Sequence, residues 1–175
     1  EEGFLLGLLV GDGTLKADAA VLSVWSSAQA GNGGALLAGA LMDEALRCAR
    51  SLPHRADFAG WTALPERNEH RLKLAALRDL AFELRMRPGD KAITPAMERR
   101  SSFLRGLFDA DGSVQGSQAK GLSVRLAQSD RGRLEAAQRM LLRLGIHARI
   151  YARRPAGEAV LPDGQGGRRA YATAA

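Results

Sequence analysis

Cysteine is nearly missing from this chain: Cys48 stands alone among 175 residues. A single thiol forms no internal disulfide framework and no thiolate metal cluster, so a reducing cytoplasm is the plain expectation. Histidine is scarce as well, and His54, His70 and His147 share no metal-ligand spacing. No apolar stretch approaches the roughly 20 residues that a membrane span needs, and nothing near Glu1 reads as a signal peptide. The glycine-rich run Gly164-Gln165-Gly166-Gly167 lacks the context of a phosphate cradle and reads as a surface loop.

Acidic residues run short only in the second part. Residues 1 to 100 hold 13 Lys or Arg against 13 Asp or Glu, whereas residues 101 to 175 hold 12 against 6. The formal charge of +6 and the pI near 10.2 therefore arise after residue 100 and point to an anionic partner. Alanine and arginine usage also suits a GC-rich bacterial or phage-type host, which would by itself enrich the surface in arginine. With 46% apolar residues the chain can bury a normal core.

A ten-residue stretch recurs. Phe4 to Gly13 (FLLGLLVGDG) returns at Phe103 to Gly112 as FLRGLFDADG, with six positions identical and the acids Asp12 and Asp111 99 residues apart. Leu5, Leu8 and Leu9, like Leu104, Leu107 and Phe108, follow helical spacing. Gly7 with Gly11, and Gly106 with Ala110, put small residues four apart on one face, where two helix backbones can pack closely. Asp-Gly then closes each copy, and the glycine suits a left-handed helix cap. A carboxylate at a helix C-terminus is disfavoured by the helix dipole. A divalent cation between two such ends would offset it.

The elements recur too. Val21 to Trp25 and Leu122 to Leu126 alternate as strands, and the predicted helix Gly34 to Arg50 answers to Asp130 to Leu144, ended by Gly145. Further strands are expected around Arg55 to Trp61, Glu69 to Lys73, His147 to Arg154 and Arg168 to Thr173, with a linking helix near residues 74–86. Alternation places His147, Arg149, Tyr151 and Arg153 on one polar, basic face. Ser23 and Trp25, like Ser123 and Arg125, are expected outward, with Leu22, Val24, Leu122 and Val124 turned towards the helices.

These residues resemble the LAGLIDADG homing endonucleases. Leu104 to Gly112 is similar to the second signature of that family and Leu5 to Gly13 to the first. Asp90-Lys91-Ala92-Ile93-Thr94-Pro95 resembles the lysine-isoleucine-proline block of its intein-borne members, and Ser129 to Ile150 the block after the second signature. Val10 departs, standing where Asp109 keeps the earlier acid. No splicing residues are recognised, so an endonuclease module rather than a self-splicing intein is expected.

The resemblance implies an α+β fold of two pseudo-symmetric αββαββ(α) repeats, 1–87 with motif 4–13 and 88–175 with motif 103–112. Motif helices would pack at the centre, with two four-stranded antiparallel sheets forming a saddle over double-stranded DNA. It implies metal-assisted cleavage of both strands across the minor groove, with 3′ overhangs, at a long asymmetric site read by a monomer. Asp12 and Asp111 would hold two or more Mg²⁺ ions, replaceable in binding by Mn²⁺ or Ca²⁺. Carbonyls at Gly11 and Ala110 are candidate extra ligands, and Lys91 a catalytic candidate near the scissile phosphates. Candidate DNA contacts are Lys16, Ser23, Trp25, Arg71, Lys73, Lys120, Ser123, Arg125, His147, Arg149, Tyr151, Arg153, Arg154, Arg168 and Arg169. A non-cleaving DNA-binding regulator and an RNA-splicing maturase on the same fold are the alternatives.

Overall fold

Every residue from Gly3 to Val10 is buried in the helix Glu2–Gly11 (α1). A helix apolar on all sides belongs at the centre of a core, and its neighbour there is the second motif helix, Phe103–Asp111 (α4). The structure is a computed structural model describing residues 1–25, 32–100, 102–151, 157–162 and 168–173. No described helix is long and apolar enough to cross a membrane.

Between the motif helices run the strands Thr14–Leu15 (β1) and Ala20–Trp25 (β2), the helix Asn32–Arg50 (α2), the strands Trp61–Leu64 (β3) and Glu69–Leu74 (β4), and the helix Ala75–Glu83 (α3). After α4 come Gly112–Ser117 (β5), Gly121–Leu126 (β6), the helix Arg131–Arg143 (α5), Gly157–Pro162 (β7) and Arg168–Thr173 (β8). The chain is α+β and its strand pairs are antiparallel.

β1 to β4 form one sheet in the order β1-β2-β4-β3. Its inner face carries Leu22, Leu72 and Leu74 into a core shared with α1, α4, Cys48 of α2, Leu77 of α3 and Met140 of α5. On the outer face Val21 stands opposite Lys73, Ser23 opposite Arg71, and Trp25 opposite Glu69. The Trp61 indole N–H donates to the Met42 carbonyl at 2.9 Å, tying β3 to α2.

The second part departs from the expected sheet. Among the described residues, β5 with β6 and β7 with β8 make two separate two-stranded ribbons. Leu122 and Val124 are therefore not turned against helices: they are 66% and 68% exposed, as is Val114 at 67%. Ser113, Gln115 and Ser117 leave β5 few apolar side chains with which to build a covered face. The strand expected at residues 147–154 is irregular through Tyr151. There the Ala148 carbonyl accepts from the Gln138 side chain of α5 at 2.7 Å, not from a strand partner. The strand expected from Arg55 begins only at Trp61, because Gly60 takes a left-handed φ of 87°. The linking helix stops at Glu83, where Arg85 sits at φ 66° and the Met86 amide closes back on the Ala81 carbonyl.

Candidate functional site

The site begins with a helix crossing that admits no side chain. A Cβ added to Gly7 would lie 2.2 Å from the Phe103 carbonyl oxygen, and one on Gly106 would lie 2.1 Å from that of Phe4. Each glycine thus rests on the other helix's backbone. One turn on, a Cβ on Gly11 would meet Ala110 Cβ at 2.4 Å and Asp111 Oδ2 at 3.2 Å. The crossing therefore delivers the C-terminal ends of α1 and α4, with Asp12 and Asp111, to one place.

The glycines after the acids act differently from the left-handed caps expected of them. Neither Gly13 nor Gly112 has a positive φ. Both turn the chain back over its own helix, where an added Cβ would lie 2.6 Å from Leu9 Cα or 2.3 Å from the Phe108 carbonyl oxygen. Close approach, not handedness, selects glycine here.

Two carboxylates at helix C-termini repel each other and the carbonyls above them. Burial, reinforced by the Asp111 charge and opposed by Lys91, pushes the Asp12 carboxyl up to about 6. The Lys91 ammonium donates to the Gly11 carbonyl at 2.6 Å. Its own pKa is lowered by burial and by the nearby Arg133 charge, against the pull of both aspartates. Lys91 is presented by a tight turn in which the Asp90 amide returns to the Arg87 carbonyl at 3.0 Å. Pro88 and Gly89, the latter at φ 76°, fill the two central positions that a type II turn favours for those residues.

Two residues join the site that sequence reasoning missed. The Gln128 side-chain amide donates to Asp111 Oδ2, and the Arg133 guanidinium donates to Gln128 Oε1 at 3.4 Å. Arg133 thereby sets which way the Gln128 amide points. Arg133 Nε is buried without a hydrogen bond and lies 3.7 Å from Asp130 Oδ2. A glutamine in a loop and an arginine on the first turns of a helix carry no spacing that would mark them.

The two copies differ at one telling position. Val10 is fully buried, so a carboxylate there would stand in the core. Asp109, its counterpart, is partly exposed 3.7 Å from Arg105, although burial still raises its pKa. An open cleft of about 670 Å³ runs past these acids, lined by Asp12, Asp109, Trp25, Leu37, Val114 and Val124.

Other candidates are spread around this centre. On the outer sheet face Ser23 is half-buried and donates to Glu69 at 2.8 Å. Glu69 is itself buried and also binds Arg71 through both oxygens. Lys73 pairs with Asp18 at 2.9 Å, while Lys16 and Trp25 are exposed. On the β5–β6 ribbon Arg125 donates to the Ser123 hydroxyl at 3.0 Å and Lys120 stands at the tip. His147, Arg149 and Tyr151 are exposed, but on irregular chain in place of a strand face. Arg169 is exposed on β8 and Arg168 opens that strand. Arg153 and Arg154 lie outside the described residues. The Nδ1 of His54 lies 2.7 Å from the Leu52 carbonyl.

Residues 98–171, which hold α4, Gln128 and Arg133, match the family model of a LAGLIDADG-like domain. That part of the chain is similar to a LAGLIDADG-like domain. Over 75 residues the chain is 35% identical to two curated proteins. They are the ribonucleoside-diphosphate reductase NrdEB subunit alpha of Bacillus subtilis strain 168 and its namesake from Bacillus phage SPbeta. The shared stretch covers 42% of this chain and only 7% of each relative. LAGLIDADG domains occur in homing endonucleases and related maturases.

Proposed function

We propose that the chain is a site-specific double-strand DNA homing endonuclease that hydrolyses phosphodiester bonds with divalent metal held by Asp12 and Asp111. The observation that carries this reading is the Gly7–Gly106 crossing, which brings two helix-end carboxylates together, with the Lys91 ammonium on the Gly11 carbonyl at the same helix end. The halves 1–87 and 88–175 act as two unequal repeats, each reading one half of a long asymmetric site, and the monomer is the active unit. The 7% coverage of the Bacillus relatives fits a mobile module lodged inside an unrelated host enzyme.

The donors suit a hard cation. Two carboxylates and the Gly11 carbonyl, already facing the Lys91 ammonium, are the oxygen ligands that Mg²⁺ prefers, with Mn²⁺ or Ca²⁺ able to replace it in binding. Among the described residues no group of three or more His, Cys, Asp or Glu side chains gathers here. Carbonyl oxygens of Gly11 and Ala110 and the DNA phosphates complete the ligand set. When bound, such an ion supplies an activated water and stabilises charge on the leaving oxygen.

The protein's own groups supply order. Gln128 ties down one oxygen of Asp111 and Arg133 orients Gln128, so the carboxylate meets its ligand in one rotamer. Lys91, with its charge directed at this centre, offers a donor to a non-bridging phosphate oxygen.

The test is selection of cleaved duplexes from a randomised target library in Mg²⁺, followed by cutting of the recovered site. Wild type is expected to cut both strands. Asp111→Asn is expected to lose double-strand cutting by at least about 100-fold, the scale of losing a metal-held step, while DNA affinity stays within a few fold. Salt-sensitive binding with no cleavage would point to a regulator, and binding of intron RNA in preference to duplex DNA to a maturase.

A further inference from the structure

Among the described residues the Gly11 carbonyl is claimed by one cation. Lys91 reaches it across 80 positions of sequence, and the 2.6 Å contact is one of the shorter hydrogen bonds among the described residues. The lysine is neither free-swinging nor fully exposed: it is half-buried and held by the Arg87–Asp90 turn, whose Asp90 side chain also accepts from the Ala92 amide at 2.9 Å. Both Asp12 and Asp111 act on its charge, as does Arg133 from the opposite sense. An ammonium so placed does three things that a divalent cation would do. Its charge acts on two carboxylates, it caps the carbonyl at the end of α1, and it offsets the negative ends of two helices.

A carbonyl oxygen has two lone pairs, but a single and a double positive charge on the same oxygen repel each other strongly at partial burial. We propose that Lys91 and a divalent cation compete for the Gly11 carbonyl, so that Lys91 acts as a built-in surrogate ion and must release this oxygen when metal enters. This inference rests on the metal-dependent reading above. It adds a direction opposite to the ordinary expectation for a site lysine: removing Lys91 should help metal binding while it harms the protein's order before binding. On this reading the lysine moves from helix end towards phosphate as the ion arrives, which couples ion loading to the position of a DNA-facing donor.

Calcium is the probe, measured on the full chain after chelator treatment and without DNA. By titration calorimetry, Lys91→Met is expected to bind Ca²⁺ about tenfold more tightly than wild type, the effect of removing one unit charge a few ångströms away in a half-buried site. Lys91→Arg, which keeps the charge, should stay within about threefold of wild type, and the calcium-free Lys91→Met protein should melt at a lower temperature. In wild type, amine-specific acetylation read by mass spectrometry should rise at Lys91 with added calcium, with Lys120 on the exposed ribbon tip as internal reference. Equal or weaker calcium binding by Lys91→Met, or unchanged Lys91 labelling on saturation, overturns the competition and leaves the metal site standing. No calcium binding by any form overturns this inference, and binding unaffected by Asp12→Asn with Asp111→Asn overturns the metal-dependent reading as well.

Discussion

A carboxyl held near pH 6 is an unusual burden for a residue to carry, and Asp12 carries it because burial and Asp111 both oppose its ionisation. The folded pKa lies above the ordinary carboxylate value, so between about pH 4 and 6 the folded state binds more protons than the unfolded one. Stability therefore falls as pH rises through that window. Without added metal, Asp12→Asn is expected to raise the melting temperature at pH 7.5 by roughly 2–4 °C, the shift that about 1 kcal/mol produces in a chain of this size. The gain should vanish at pH 4, and thermal scans of both proteins across that range check it. Divalent cation should reverse the order at pH 7.5 by stabilising only wild type. At this scale Asp12, Asp111 and Lys91 were legible as residues because motif and resemblance marked them. Gln128 and Arg133 were not, since their meeting with Asp111 arises only when α5 folds back beside α4.

At the scale of elements the glycines separate packing from propensity. Gly106 lies on the Phe4 carbonyl and cannot accept a methyl unless two backbones part, whereas Gly39 of α2 has open space around its Cβ position. Gly106→Ala is expected to lower stability by about 3 kcal/mol or more, as overpacking against rigid backbone does. Gly39→Ala should raise it by about 0.5–1 kcal/mol, the ordinary gain of alanine over glycine inside a helix. Urea denaturation of the two single variants decides between them, and equal effects would show that the crossing tolerates expansion. The small residues at four-residue spacing make this crossing readable in the sequence alone. So did β2, β4, α2 and α5, whose apolar periods and the left-handed Gly145 after α5 are local signals. The ribbon β5–β6 was misread because alternation of Leu122 and Val124 with Ser123 and Arg125 says that two faces differ, not that anything covers either one. The strand expected over 147–154 is absent from its described part, residues 147–151, for a related reason. Its alternation was sound, yet Gln138 takes the carbonyl that a neighbouring strand would have needed.

Across the whole molecule, some basic residues are answered by ion pairs and others are left open to an anionic partner. On the first sheet Arg71 is bound by Glu69 and Lys73 by Asp18. On the second part Lys120, Arg125 and Arg149 are exposed and enter no ion pair among the described residues. Neutralising these three together should lower the slope of log affinity against log salt by about 2 to 3 for duplex DNA, at about 0.9 per phosphate contact. The double variant Arg71→Ala with Lys73→Ala should change it by less than about one, because those charges are already answered. Fluorescence anisotropy over a salt series measures both, and equal slopes would place the phosphates on the first sheet instead.

The glycine crossing also sets an order of events in time. α1 is apolar on every side and its partner α4 lies about a hundred residues later in the chain. At a synthesis rate of about 5–20 residues per second, α1 waits on the order of 5–20 s for α4 to be made. For that interval the apolar stretch Gly3 to Val10 lacks the partner that its glycine face is shaped to meet. An apolar segment left waiting in this way is the kind of exposed surface that favours aggregation until the rest of the domain is made.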